Sequence, residues 1–410
     1  MNKGYLIINV YVDNMAQPVE GADISITGLN TNIKETTDVS GKTKRIMLDA
    51  PDKKYSLEPQ TEIKPYAEYR VEVKKEGLKS TIIDGIEIFT DETSIQNVYL
   101  SSGGEINEKP NYYELPDHVL WGKYPPKIVE NVIKEEEDRE ELRVQPFVFI
   151  PEYIVVHDGI PTNTSAANYV VRFPDYIKNV ASYEIYSTWP TETIKANVLA
   201  IISFTLNRVF TEWYRSRGYS FTITSSTAYD QKYVPNGTIY QSISLIVDDI
   251  FNQFIKLPNV RQPFFAQYND GINTNNKGWL SQWGSKTLGD QGYKAIEILR
   301  HFYSNDIYIE TADEIEGAPL SFPGYKLSLG SCGEAVQKLQ NEINVINGNY
   351  PGIPKILPAN GKYETGSEAS IRKFQEVFGV PITGVVDFAT WYRVSYIYVA
   401  VSNMLKGIYQ

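Results

Sequence analysis

Residues 180–218, VASYEIYSTWPTETIKANVLAIISFTLNRVFTEWYRSRG, constrain this chain more than any other stretch. The first part holds a lone carboxylate, Glu184, among Tyr183, Ile185, Tyr186 and Trp189. The second part predicts a long helix. Pro190 suits a first helical turn, where its missing N–H costs nothing. Ile194, Val198, Ile201, Val209 and Trp213 then recur at helical spacing and predict one apolar face. Arg208, Arg215 and Arg217 suit the negative end of such a helix, and Gly218 suits its stop. The expectation is an acid fixed in an aromatic setting at the head of a buried helix. Apolar surroundings disfavour the charged form of a carboxyl group, whereas a helix N-terminus favours it. Where desolvation wins, such a group serves as a general acid. A lone Glu equally well caps a turn or pairs with an arginine.

A second stretch, residues 278–303, reads GWLSQWGSKTLGDQGYKAIEILRHFY. Trp189-Pro190-Thr191-Glu192 and Lys195-Ala196 after Glu184, then Ser281-Gln282-Trp283-Gly284, Gly292, Glu297-Ile298-Leu299 and Tyr303, stand in a fixed order. Together they resemble the stage II sporulation protein D family of peptidoglycan lytic transglycosylases. The resemblance implies Glu184 as the catalytic acid. It also implies Tyr186, Trp189, Ser281, Gln282 and Trp283 as substrate-binding residues, with no metal and no cofactor. One departure is plain: the family carries an arginine deep in the helix, Ile202 takes that place here, and Arg208 lies further along.

The rest of the chain supplies the context. Its 410 residues suffice for two to four domains. A net charge of −11 argues against nucleic acid as a partner. No apolar segment is long enough to span a membrane, so no membrane partner is expected. The opening MNKGYLIINVYVDN alternates with polar residues and reads as a strand, not a signal peptide. One cysteine, Cys332, excludes an internal disulfide, and three scattered histidines argue against a structural zinc site. Thirty tyrosines serve as filler in a β-rich protein, as stacking surfaces for sugars, or as both.

Residues 1–101 alternate through Leu6, Ile8 and Val10, through Ala22, Ile24 and Ile26, and through Tyr69, Val71 and Val73. A small β-sandwich is expected, similar to the transthyretin-like, carboxypeptidase-regulatory class. Residues 102–146 read as a linker: Pro110, Pro116, Pro125 and Pro126 punctuate it. Glu135, Glu136, Glu137, Asp138, Glu140 and Glu141 then predict a solvated acidic helix with an exposed cleavage region beyond it. Residues 147–318 form the expected catalytic domain of mixed α/β type. Asp270 and Asp290 are its other carboxylates placed to assist.

Residues 322–410 carry Leu329-Gly330-Ser331-Cys332-Gly333, Leu339-Gln340, Asn360-Gly361-Lys362-Tyr363, Phe374-Gln375, Gly384-Val385-Val386-Asp387 and Thr390-Trp391. These resemble the type 1 peptidoglycan-binding domain, a three-helix module. Val336, Leu339 and Ile343 predict one helix face, and Ile371, Phe374 and Phe378 another. The fold expected is therefore multidomain α+β. The order of modules resembles the SleC-type spore cortex-lytic enzymes of clostridia. That resemblance implies a proenzyme at the spore cortex or coat. It implies cortex peptidoglycan as one partner and an activating subtilisin-like germination protease as another. Inverting and retaining glycosidases need two carboxylates; a lytic transglycosylase works with one. The other readings are a non-catalytic peptidoglycan-binding or amidase-enhancing protein, and a wall-degrading component of a phage-like particle.

Overall fold

The computed structural model describes residues 2–12, 15–59, 62–101, 109–131 and 147–405. The acidic run and the cleavage region expected after it fall within 132–146, outside the described residues.

The chain is multidomain α+β. Its first third is built on two five-stranded sheets. One holds β1 (Asn2–Val12), β2 (Gln17–Pro18), β5 (Ile46–Ala50) and β8 (Thr93–Tyr99). The other runs in the order β4 (Thr31–Thr36), β3 (Asp23–Gly28), β6 (Ala67–Lys74), β7 (Thr81–Ile88), β9 (Asn111–Glu114). Alternation turns Leu6, Ile8 and Val10 of β1 towards Ile24, Ile26, Val71 and Val73 of the facing sheet, and all are buried in one core. A one-turn helix, α1 (Lys54–Leu57), lies in the excursion between β5 and β6.

Two features of these sheets lay beyond the sequence reading. Strand β9 falls in the stretch taken for a linker, yet it pairs parallel with β7 from Thr81↔Asn111 to Asp84↔Glu114. The first sheet is completed by β13 (Ile239–Tyr240), which comes from far along the chain and pairs antiparallel with β8.

The central region is wrapped around α3 (Thr191–Phe210). It also contains β10 (Tyr153–His157), β11 (Asn168–Arg172), α2 (Phe173–Glu184), β12 (Ile223–Thr224), α4 (Gln241–Ile250), β14 (Gln253–Lys256), β15 (Tyr268–Asn269), β16 (Leu280–Ser281), α5 (Gln282–Asp290), α6 (Ala295–Phe302) and β17 (Tyr308–Thr311). Within α3 only Thr191, Glu192, Lys195 and Val209 escape burial. The expected single apolar face is thus an apolar circumference, with α2, α4, α5, α6 and β14 packed around it. Polar residues inside it are satisfied locally: Ser203 Oγ donates to the Leu199 carbonyl at 2.6 Å and Thr205 Oγ1 to that of Ile201 at 2.8 Å. Gly289 lets α5 approach, since a Cβ there would lie 1.9 Å from Thr193 Oγ1.

The helix is also shorter than the sequence suggests. It stops at Phe210, Glu212 has φ +45°, and Arg215–Arg217 form a separate 3₁₀ turn closed by Gly218. Helix α4 ends at Ile250 and the chain passes into β14, and within 263–268 Tyr268 alone is in a ladder.

The C-terminal region packs α7 (Glu334–Asn349), α8 (Thr365–Phe378) and α9 (Phe388–Leu405) around Val336, Leu339, Ile343, Ile371, Phe374 and Trp391. It docks on both other regions. Arg393 bonds Asp248 of α4, while Asn349 Nδ2 donates to the Ala16 carbonyl at 2.9 Å and Lys42 Nζ to that of Glu376 at 3.1 Å.

Candidate functional site

Glu184 is the last residue of α2, not the head of the long helix. The end of a helix presents carbonyls, so a carboxylate there needs donors from elsewhere. It finds two. The backbone N–H of Lys232 donates to Oε1 at 2.8 Å, and Gln282 Nε2 donates to Oε2 at 3.2 Å. The same Gln282 amide reaches the Glu184 carbonyl at 3.0 Å. Gln282 opens α5 just after the short β15–β16 ladder, so the ladder sets where its amide stands.

The other residues expected at the site are placed as follows. Tyr186, Trp189 and Trp283 form one aromatic cluster, with ring centroids 5.9 Å apart for Tyr186–Trp189 and 4.9 Å for Trp189–Trp283. Tyr186 and Trp189 are buried, and Trp283 is half-buried. Ser281 is the N-cap of α5, its Oγ accepting from the Gly284 N–H at 2.9 Å. Gln282 is 2% exposed and its amide serves Glu184. Of the assisting carboxylates, Asp270 accepts from the N–H groups of Ile272, Asn273 and Thr274. Burial opposes its charge, but these donors hold its carboxyl below the ordinary value. Asp290 pairs with Lys286 at 2.7 Å. Glu192 caps the start of α6, accepting from the Ala295 N–H at 2.8 Å, and so ties α3 to α6.

Several neighbours of Glu184 escaped the sequence reading. Tyr268 is buried, with Glu184 and Gln231 about its hydroxyl. Burial, then the charge of Glu184, pushes its phenol well above its ordinary value. Lys127 Nζ lies 4.7 Å from the Tyr268 ring centroid and donates to the Asp230 carbonyl. Burial lowers the Lys127 ammonium, and the Glu184 charge works against that lowering. Arg208 is fully buried and bound on two sides. Its Nε donates to Asp230 Oδ1 at 2.7 Å, and its two terminal nitrogens donate to the two oxygens of Glu130 at 3.0 and 2.6 Å. One sign was present in the sequence: Arg208 is the only ionised residue in the apolar run 196–210. Such a residue is buried only with a partner.

In this form Glu184 is 3% exposed. The first 131 residues bind its neighbours in the chain. The Val119 N–H donates to the Tyr183 carbonyl at 3.0 Å, and His118 Nε2 is 3.3 Å from that of Ile185. Burial takes the His118 imidazole down to about 3, so the ring is neutral. Trp189 Nε1 donates to the Ser56 carbonyl of α1 at 2.9 Å.

Residues 332–394 match the peptidoglycan binding domain family. The C-terminal helices form a peptidoglycan-binding domain. Over 68 residues the chain is 32% identical to the zinc D-Ala-D-Ala carboxypeptidase of Streptomyces albus G, a match covering 17% of this chain and 25% of that enzyme. The chain thus spans about a quarter of the curated relative it matches. A solved type II cohesin–X-dockerin complex from Acetivibrio cellulolyticus aligns at 12% identity over 24% of this chain and 58% of that one. Its TM-score of 0.17 is too low to bear on the fold.

Proposed function

We propose that this chain is the proenzyme of a peptidoglycan lytic transglycosylase of the spore cortex, with Glu184 as its single acid–base group. The observation that carries the reading is the setting of Glu184: a buried carboxylate steered by Gln282 and the Lys232 N–H, in a chain with a peptidoglycan-binding domain. The other candidate carboxylates are engaged elsewhere, Asp270 by its own turn and Asp290 by Lys286.

One carboxyl group suffices for the chemistry. Protonated Glu184 gives its proton to the glycosidic oxygen as the C1–O bond of muramic acid breaks. The resulting carboxylate takes the proton of the C6 hydroxyl as O6 bonds to C1. The products are a free 4-hydroxyl and a 1,6-anhydro end, with no water consumed. The aromatic rings of Tyr186, Trp189 and Trp283 suit sugar faces once the cover leaves.

The test is a mass spectrum of products from cortex glycan treated with protein cut in the segment 132–146. Anhydromuramic ends are expected, and Glu184→Gln lowers their release by ~10²–10⁴-fold. Reducing ends mean a hydrolase, and near-normal turnover in Glu184→Gln removes the assignment.

A further inference from the structure

Residues 127–130 lie in a groove between the end of α3, the stretch 228–232 and the residues just before β15. The Ile128 N–H donates to the Ala228 carbonyl at 2.7 Å, and Gln267 Nε2 donates to the Ile128 carbonyl at 3.3 Å. Ile128 and Val129 point outwards, 48% and 64% exposed. Lys127 and Glu130 point inwards. Lys127 stands beside Tyr268 and Glu184, and Glu130 closes on Arg208. The groove therefore runs from Glu184 to Arg208, and a short peptide occupies it.

Arg208 has more donors than its permanent surroundings satisfy. Asp230 takes Nε, and the Tyr229 carbonyl takes one bond from Nη2 at 3.2 Å. The remaining fork, Nη1 and Nη2 side by side, is filled by the two oxygens of Glu130. A planar guanidinium held in this way is matched to a carboxylate in bidentate geometry. A further buried group borders the same groove without a hydrogen-bond partner among the described residues, Oε1 of Gln267. Gln267 is 2% exposed and sits on the side where residue 128 lies. A strand of sugars has hydroxyl and amide donors for such an acceptor. Arg208 also lines a cavity of about 260 Å³ with Tyr153, Glu212 and Arg215, so open space adjoins it.

We propose that Arg208 is a subsite for a carboxylate of peptidoglycan, and that Glu130 holds that place in the uncut chain. The proposal rests on the reading of Glu184 as the acid of a glycan cleft. The carboxylate is the lactyl group of muramic acid or one of the stem peptide.

The experiment uses the full chain with Glu184→Gln, so that binding is read without turnover. Three probes are titrated: peptide-free glycan strands, the same strands with their carboxylates converted to methyl amides, and free stem tetrapeptide. Glu130→Gln removes the anion from the fork. It is expected to tighten binding of a carboxylate-bearing probe by about tenfold or more, the worth of a charge-assisted bidentate contact. Amidated strands gain nothing, and Arg208→Lys, which keeps the charge facing Asp230 but lacks the fork, cancels the gain. A gain confined to strands assigns the lactyl group, and a gain with tetrapeptide assigns the stem. Equal gain for free and amidated strands overturns the proposal, as does no gain with any probe. That comparison needs no Arg208 variant, so it decides the matter even where Arg208→Lys folds poorly. Shortening of strands by the Glu184→Gln chain would instead overturn the acid assignment, and the binding comparison is read separately from it.

Discussion

Tyr240 donates its phenolic hydroxyl to Glu87 Oε2 at 2.8 Å, joining the strand that completes the first sheet to a carboxyl buried in the second. The side chain is 1% exposed, with Tyr66 also close to its carboxyl group. Beside it, Glu92 takes bonds from the Ser242 hydroxyl and N–H, and burial raises its carboxyl too. The contact between the sheets and the central region therefore holds two acids whose protonated forms burial favours more than water does.

A pH dependence follows from Glu87. Burial raises its carboxyl to about 8, against an unfolded value of 4.5. Between those values the folded chain binds more protons than the unfolded one, so stability falls as pH rises. The contribution is intact below about pH 4.5 and lost by about pH 8, with a slope of up to about 1.4 kcal/mol per pH unit over that window. Thermal unfolding from pH 5 to 8.5 is expected to show this loss, and Glu87→Gln to flatten it. An unchanged slope in Glu87→Gln would place the effect elsewhere.

Gln282 offers a sharper test of the site. Its amide is spent on the oxygens of Glu184, so Gln282→Leu should act on the acid and not on substrate affinity. Losing a hydrogen bond to a charged group costs about 1.5–3 kcal/mol. The turnover rate is thus expected to fall about 10–100-fold with KM nearly unchanged. A raised KM at normal turnover would make Gln282 a sugar contact, as its place in the motif implied.

Much of this was legible in sequence because it is local. Alternation at Leu6, Ile8 and Val10 marks a strand whatever lies opposite, and 3.6-residue spacing at Val336, Leu339 and Ile343 marks a helix face. The end of α3 was misplaced because Trp213 continues the apolar spacing, while Glu212 breaks the backbone with a positive φ. What the sequence withheld is long-range. Strand β13 is two residues long, and it is a strand only because β8, some 145 positions earlier, offers it an edge. Lys127 and Glu130 look like ordinary connector charges until folding sets them beside Glu184 and Arg208.

Asp248 is the keystone between the central region and the C-terminal domain. Lys178 Nζ stands 2.6 Å from it and Arg393 Nη2 2.9 Å, all three buried or nearly so. Burial opposes its charge, but Arg393 and Lys178 outweigh it and hold the carboxyl below its ordinary value. Asp248→Asn removes the carboxylate bonded to both cations and leaves them to the charge of Asp175. Breaking a buried pair costs about 3–5 kcal/mol, and urea unfolding is expected to register a loss of that order. A loss below about 1 kcal/mol would mean that the C-terminal domain docks through its apolar contacts alone.

The contacts of the first 131 residues also predict how latency ends. A protease that cleaves after Glu is expected to cut within 135–147, and peptidoglycan-clearing activity to rise afterwards. The cut by itself removes none of the bonds that cover Glu184. Ser56 still holds Trp189, β8 still pairs with β13, and Glu130 still fills the fork of Arg208. The two pieces are therefore expected to co-elute in size-exclusion chromatography at pH 6, with activity lagging behind cleavage. At pH 8.5 Glu87 favours its charged form, the interface weakens, and the amino-terminal piece separates as activity appears. Glu87→Gln should delay that separation. An uncut chain as active as the cut one would remove latency altogether, and free elution of the amino-terminal piece at pH 6 would show that these contacts do not hold the cover in place.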